Sequence, residues 1–325
     1  MAPPKMKAFH AKAYRWIDNT VFDLGRQMRW SYLPPLMVYL AAGVSGLTAI
    51  VGTFFVKEHF GLSAAFLAGL GFWAGIPWAF KMPLGHLVDL IWRWKAALVY
   101  LGAALVALSI AIMYALITQT DRMAALQNVE AWYVTSVLLA PIGYVLQDVV
   151  ADAMTVEAVP AFDEHGQPYP DGTIKSMHTT MQTLGRVAII MGLVVVAALN
   201  IGMFSGVAEM SDAEKTETYA NIYLLALVIP VISVLGVTLG GVARRVRAAT
   251  LLRQGFGKER IAQMLAVQVE EARPNWWIIV GGIAFVAFTL VTGLSDVPFD
   301  HEIIFAGSEP PRVCRRLFGL SQAAM

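Results

Sequence analysis

An arginine stands in the middle of one long apolar run of this chain, and two aspartates a helical turn apart stand in another. Ionisable groups inside a membrane segment are costly and normally face a cavity or a partner, so each is a candidate for function. Arg186 lies in the run 176–202. If that run enters a bilayer near Ser176, a rise of 1.5 Å per residue puts the guanidinium about 15 Å deep, close to the midplane. Thr179, Gln182 and Thr183 share its helical face at i−7, i−4 and i−3, forming a polar stripe that leads to it. A planar guanidinium suits the carboxylate of an organic anion, which makes these four residues the candidate substrate-binding group. The competing role for Arg186 is a permanent packing pair with Asp148.

Asp148 and Asp152 are spaced i, i+4 and share one face. Two adjacent carboxylates repel when both are ionised, so the pair could carry a coupling proton. They could equally pair with Lys81, Arg93 or Arg186 as a gate at the cytoplasmic mouth. Lys81 is expected at the end of an apolar run, where its stem can reach the headgroups. Glu157 and Asp296 read as boundary or loop charges, and His178 as an interfacial histidine. There is no Gly-rich phosphate loop, no metal-ligand histidine spacing and no nucleophile elbow, so no enzyme activity, cofactor or metal is expected. The single cysteine, Cys314, excludes intrachain disulfides and thiolate clusters.

The elements that must position these residues are membrane helices. Hydrophobic residues make up 57% of the 325 positions and charged residues 14%, far from a soluble balance. Seven stretches are long enough to cross a bilayer: 34–56, 62–83, 96–117, 131–154, 176–202, 219–243 and 275–295. Pro77, Pro141 and Pro230 fall inside them and predict kinks. Lys and Arg collect before the first stretch, around the second connection (Lys81, Arg93, Lys95) and after the sixth stretch (Arg244 to Arg273), whereas the opposite loops hold only Lys57, Arg122 and Lys215. That asymmetry places the N-terminus in the cytoplasm of a multi-pass protein, in the cell (inner) membrane. A net charge of +1 leaves no basic excess for nucleic acid. The expected division is a cytoplasmic segment 1–33, a six-helix bundle 34–243, a cytoplasmic connector 244–274 read as a surface helix, a seventh span 275–296 and an irregular tail 297–325. Residues 5–30 read either as an amphipathic surface helix or as a basic tail that orients the first span. The basic tail residues Arg312, Arg315 and Arg316 fall on the wrong side for seven crossings, which points to an altered or truncated C-terminus or to a mislocated span.

At the end of the second stretch stand Gly75-Ile76-Pro77-Trp78-Ala79-Phe80-Lys81-Met82-Pro83-Leu84-Gly85, then Asp89 and Arg93. The Gly85-x-x-x-Asp89-x-x-x-Arg93 spacing resembles the loop between helices 2 and 3 of the major facilitator superfamily, where a carboxylate and a guanidinium can pair across the mouth. That family's second glycine and adjoining basic residue are replaced by Trp92 and Trp94. Pro77-Trp78 with Lys81 and Pro83, the run Gln147-Asp148-Val149-Val150-Ala151-Asp152, and Gly46 to Ser63 resemble the folate–biopterin transporter branch. The resemblance covers about residues 40–200. It implies twelve spans in two six-helix halves with substrate between them, of which this chain supplies one half and about one further helix. The expected fold is therefore an all-α membrane protein, a major-facilitator-type helical bundle. The expected function is secondary transport of an organic anion, folate- or pterin-like and proton-coupled. Lys81, Asp89 and Arg93 join Asp148 and Asp152 as gate or proton-coupling residues, and membrane lipid and the anion are the partners. A second wall for the cavity would come from a homodimer or a partner half-transporter. The alternative is a non-transporting membrane scaffold or assembly factor built on the same fold.

Overall fold

The computed structural model describes residues 23–49, 51–52, 64–163, 166–265 and 274–294. Among them no strand occurs; an isolated antiparallel bridge joins Phe162 to Pro168. After a single helical turn at Asp23–Arg26, the helices are α1 (Leu33–Val44), α2 (Ala64–Ala79), α3 (Lys81–Leu90), α4 (Lys95–Thr118), α5 (Thr120–Leu126), α6 (Val129–Ala158), α7 (Asp171–Met203), α8 (Asp212–Ala226), α9 (Val228–Arg253), α10 (Lys258–Leu265) and α11 (Trp276–Leu294). Four described helical runs are long and apolar enough to cross a membrane: Trp92–Thr118, Val129–Ala158, Asp171–Met203 and Asp212–Arg253. Hydrocarbon offers no partner for backbone N–H and C=O groups, and a continuous helix satisfies them within itself.

The other expected spans are shorter or interrupted, and proline accounts for the breaks. The second span is two helices, α2 and α3, that meet at Phe80. Pro83 has no N–H to offer the Ala79 carbonyl, so the helical ladder cannot run through. The same logic separates α8 from α9 within the membrane-length run Asp212–Arg253. Pro230, expected to kink a helix interior, instead stands in the first turn of α9, and the carbonyl it cannot reach belongs to Ala226, the last residue of α8. Pro77 and Pro141 do lie inside helices. The first span is represented by α1 and the 3-10 turn Ser45–Thr48, and the seventh by α11.

Helix α1 is central and packs on α6, α7 and α9. Glycines let the backbones touch. A Cβ on Gly43 would collide with the Ile189 carbonyl oxygen, and one on Gly192 would stand 2.7 Å from the Gly43 Cα. Gly236 of α9 meets the Pro34 carbonyl of α1 in the same way, at 2.8 Å. Small residues at such crossings give the close van der Waals packing that holds helices together where lipid removes the hydrophobic drive. The most extensive pairing joins α4 to α6, again across glycines, with Gly102 against the Gly143 carbonyl. Further along each helix the pair is stitched by hydroxyls: Ser109 Oγ donates to the Ser136 carbonyl at 2.8 Å, and Ser136 Oγ donates to the Ser109 carbonyl at 2.9 Å.

The segment expected as a surface helix over 244–274 is built otherwise. Its first ten residues continue α9 to Arg253. The chain turns at Gly255, where φ is +89°, and α10 folds back so that Leu251, Ile261 and Met264 form a small core with Phe256. The α6–α7 loop docks on this hairpin. Arg260 donates to the Gly166 carbonyl at 3.1 Å and lies 5.3 Å over the Phe162 ring, and Arg247 donates to the Phe162 carbonyl at 3.4 Å. The expectations for residues 5–22, Asp296 and the tail 297–325 lie outside the described residues.

Candidate functional site

Three of the expected charges meet where the second span is broken. Lys81, the first residue of α3, places Nζ 2.5 Å from Asp148 Oδ2 and 3.1 Å from Asp152 Oδ2. The i, i+4 spacing on α6 is what lets one ammonium bridge both carboxylates. Their environments differ: the Asp148 side chain is 11% exposed and that of Asp152 51%. Asp148 Oδ2 is shut off from solvent and, among the described residues, its ionic partner is the Lys81 ammonium. Lys81, 41% exposed, is therefore the counter-charge of both aspartates, carried at the turn that Pro83 imposes between α2 and α3.

Tyr39 of α1 completes the group, and no sequence signal singled it out. Its hydroxyl donates to Asp152 Oδ1 at 2.6 Å. Its ring lies on Gly185 of α7, where an added Cβ would stand 2.9 Å from Cε2. The phenol is thus wedged between α6 and α7 and fixes the outward end of the Asp152 carboxylate. A lone tyrosine in an apolar run reads as core; only the apposition of α1 with a glycine on α7 distinguishes it.

Arg186 follows Gly185 directly. On α7, which runs from Asp171 to Met203, it is fifteen residues from one end and seventeen from the other, and it acts electrostatically on the Tyr39 phenol. It does not pair with Asp148, whose partner is Lys81. Its side chain is exposed on the bundle surface together with those of Thr179, Gln182 and Thr183. The two threonine hydroxyls donate to carbonyls one turn back in their own helix, Thr179 to Lys175 at 3.1 Å and Thr183 to Thr179 at 2.9 Å. That leaves the guanidinium and the Gln182 amide as the strong polar groups of the stripe.

Asp89 and Arg93 do not form the expected pair. Helix α3 ends at Leu90 and a 3-10 turn spans Trp92–Trp94, so the i, i+4 relation is lost, and the Arg93 guanidinium instead lies 5.9 Å over the Trp94 ring. Asp89 lines a cavity of about 650 Å³ between α2–α3 and α11, shared with Lys81, His86 and Phe285. In its wall the buried His86 accepts, through Nε2, the backbone N–H of Asn275 at 2.8 Å.

A second ionic cluster arises where only solvated charges were expected. Glu157, near the end of α6, pairs with Lys95 at the start of α4 and stands 3.8 Å from Arg244 of α9. Lys95 also sits 3.5 Å over the Trp92 ring. The cluster ties three helices at the end of the bundle that carries most of its arginines.

No family model matches the chain, and no solved structure matches it. Among curated proteins it is similar to a folate–biopterin transporter of Synechocystis sp. (strain ATCC 27184 / PCC 6803 / Kazusa), 35% identical over 68 residues. Those residues are 21% of this chain and 14% of the cyanobacterial protein, so the match spans a small part of each.

Proposed function

We propose that the chain forms one helical half of a secondary carrier of the major facilitator type, moving an organic anion of the folate or pterin kind together with protons. The observation that carries this reading is one ammonium bridging two carboxylates at a helix break, with a tyrosine linking that pair to the helix of Arg186. The partial similarity to a folate–biopterin transporter and the membrane-length helices support it. In this scheme the guanidinium, with Gln182, binds the anion's carboxylate near mid-membrane and faces a second helical half that supplies the opposite wall. Protonation of the aspartate pair removes the charge that holds Lys81. That frees the α2–α3 break to bend as the two halves rock, and loss of the proton on the other side resets it. The arrangement couples proton and anion because both act through Tyr39.

The test is uptake of radiolabelled folate and of a simple pterin by cells producing the protein, with matched membrane insertion. Arg186→Ala is expected to abolish uptake. Asp148→Asn is expected to abolish accumulation against a gradient while sparing anion exchange. Unchanged uptake in Arg186→Ala refutes the site. Absence of uptake by the wild type, with a stable partner protein recovered instead, favours a non-transporting scaffold.

A further inference from the structure

A second cavity, of about 520 Å³, opens at the basic end of the bundle and belongs to none of the machinery above. Its walls come from two places. Arg26, Gln27, Met28, Arg29 and Tyr32 precede or begin the approach to α1, and Gly172, Thr173, Ser176, Met177 and Thr180 occupy the first turns of α7. Two guanidiniums and the hydroxyls of Tyr32, Thr173, Ser176 and Thr180 thus border one space. Arg29 is steadied by lying 5.6 Å over the Tyr169 ring, a contact that consumes none of its N–H donors. The far wall is pinned by Thr180 Oγ donating to Gln27 Oε1 at 2.9 Å. Helix α7 begins after Pro170 without a side-chain cap, so its first N–H groups and positive dipole end add to the field there. The acidic residue of that turn, Asp171, and the nearby Lys175 do not line the cavity.

This charge pattern fits a phosphate, and its surroundings decide which kind. The cavity lies at the start of α7, directly after the loop that Arg247 and Arg260 hold, at the end expected to face an anionic leaflet. Met28, 47% exposed, lines the cavity, and Trp30, 88% exposed, follows Arg29 on the same segment, apolar side chains suited to the acyl boundary beside a bound headgroup. A free phosphate would gain nothing from such side chains. We infer that the cavity between the Arg26–Tyr32 segment and the start of α7 binds the phosphate headgroup of an anionic phospholipid. A lipid seated there bridges the lead-in to α1 and α7, and so buttresses the helix pair that holds Tyr39.

The full chain, purified in neutral detergent, would be titrated with phosphatidylglycerol, phosphatidylcholine and inorganic phosphate. Lipid adducts are read by native mass spectrometry and stabilisation by thermal unfolding. Wild type is expected to retain phosphatidylglycerol in preference to phosphatidylcholine. Arg26→Gln with Arg29→Gln should weaken that binding about 30-fold, because both guanidiniums that face the phosphate are neutralised. Lys175→Gln, which alters an exposed charge outside the cavity, should leave it unchanged. The inference is overturned if the two lipids bind equally, if the double variant binds as wild type, if Lys175→Gln weakens binding as much as the arginine pair, or if inorganic phosphate binds and phosphatidylglycerol does not compete. Should the arginine variant misfold, Thr173→Val with Ser176→Val decides the matter: a selective loss of phosphatidylglycerol supports the site and unchanged binding overturns it.

Discussion

Replacing Lys81 by methionine keeps an unbranched side chain one atom shorter and removes the charge that faces Asp148. The cost follows from burial. Deleting one partner of a fully buried ion pair costs about 3–5 kcal/mol, and an exposed pair is worth at most about 1 kcal/mol. With Asp148 at 11% exposure and Lys81 at 41%, the pair lies between those limits; discounting for solvent at the lysine, we expect Lys81→Met to cost about 2 kcal/mol. The arm to Asp152, 51% exposed, falls on the surface scale, under about 1 kcal/mol. A double-mutant cycle isolates the two terms. Lys81→Met, Asp148→Asn and the double variant would be unfolded in mixed detergent micelles and followed by tryptophan fluorescence, and the cycle repeated with Asp152→Asn. Coupling of about 1–2 kcal/mol is expected for Asp148 and a smaller value for Asp152, because Asp148→Asn removes the charge that the lysine variant leaves exposed to its own burial cost. Additivity within about 0.5 kcal/mol at Asp148, or stronger coupling at Asp152, would refute the assignment of Lys81 as the counter-charge of Asp148.

Gly102→Ala places a Cβ 2.6 Å from the Gly143 carbonyl oxygen; a loss of about 2–3 kcal/mol is expected in the melting of the α4–α6 pair. Gly69→Ala, where an added Cβ meets nothing, should be neutral or slightly stabilising, and equal effects at the two sites would contradict the packing. Ser109→Ala and Ser136→Ala each remove one side of a reciprocal pair and should cost about 1 kcal/mol. The double variant should cost less than their sum, since the second hydroxyl has already lost its partner; strict additivity would count against the pairing. Arg260→Ala removes the hydrogen bond to Gly166 and the contact over Phe162. Proteolytic cleavage within residues 159–170 should then accelerate, and an unchanged rate would mean that the loop is held by other contacts.

Class and composition were legible because a membrane helix is a one-dimensional signal: length and hydropathy suffice to find it. So was the kinship of Asp148 and Asp152, whose shared face follows from helical periodicity. The prolines were read less well. Pro77 and Pro141 are absorbed into helices, whereas Pro83 and Pro230 end one helix and begin another, and which outcome obtains depends on whether neighbours can hold the freed carbonyl. Lys81, expected at the end of an apolar run, begins a new helix just past the break at Phe80. Asp89 and Arg93 were paired by resemblance to a loop motif; here the helix stops at Leu90 and Arg93 lies over the Trp94 ring instead. What could not be read was apposition between helices. Nothing in a linear pattern says that Gly185 will lie against Tyr39, that Ser109 will meet Ser136, or that Glu157 will find Lys95 across two spans; these depend on how the helices are rotated against one another, which periodicity within a helix leaves open.

The bare crossings of α1 have a mechanical meaning. Where backbone rests on backbone, as at Gly43 and Gly192, no cushion of rotatable side chains remains to act as a bearing, and neither helix can roll or slide without collision. Helices α1, α7 and α9 are thereby locked as a single stiff block. The other flank is α2, α3 and α11, jointed at Phe80 and seated through the Pro83 ring on Gly282. Any rocking of this molecule is expected to pivot at the Phe80 joint, so a distance probe spanning α3 and α7 should register a change and one spanning α1 and α7 should not.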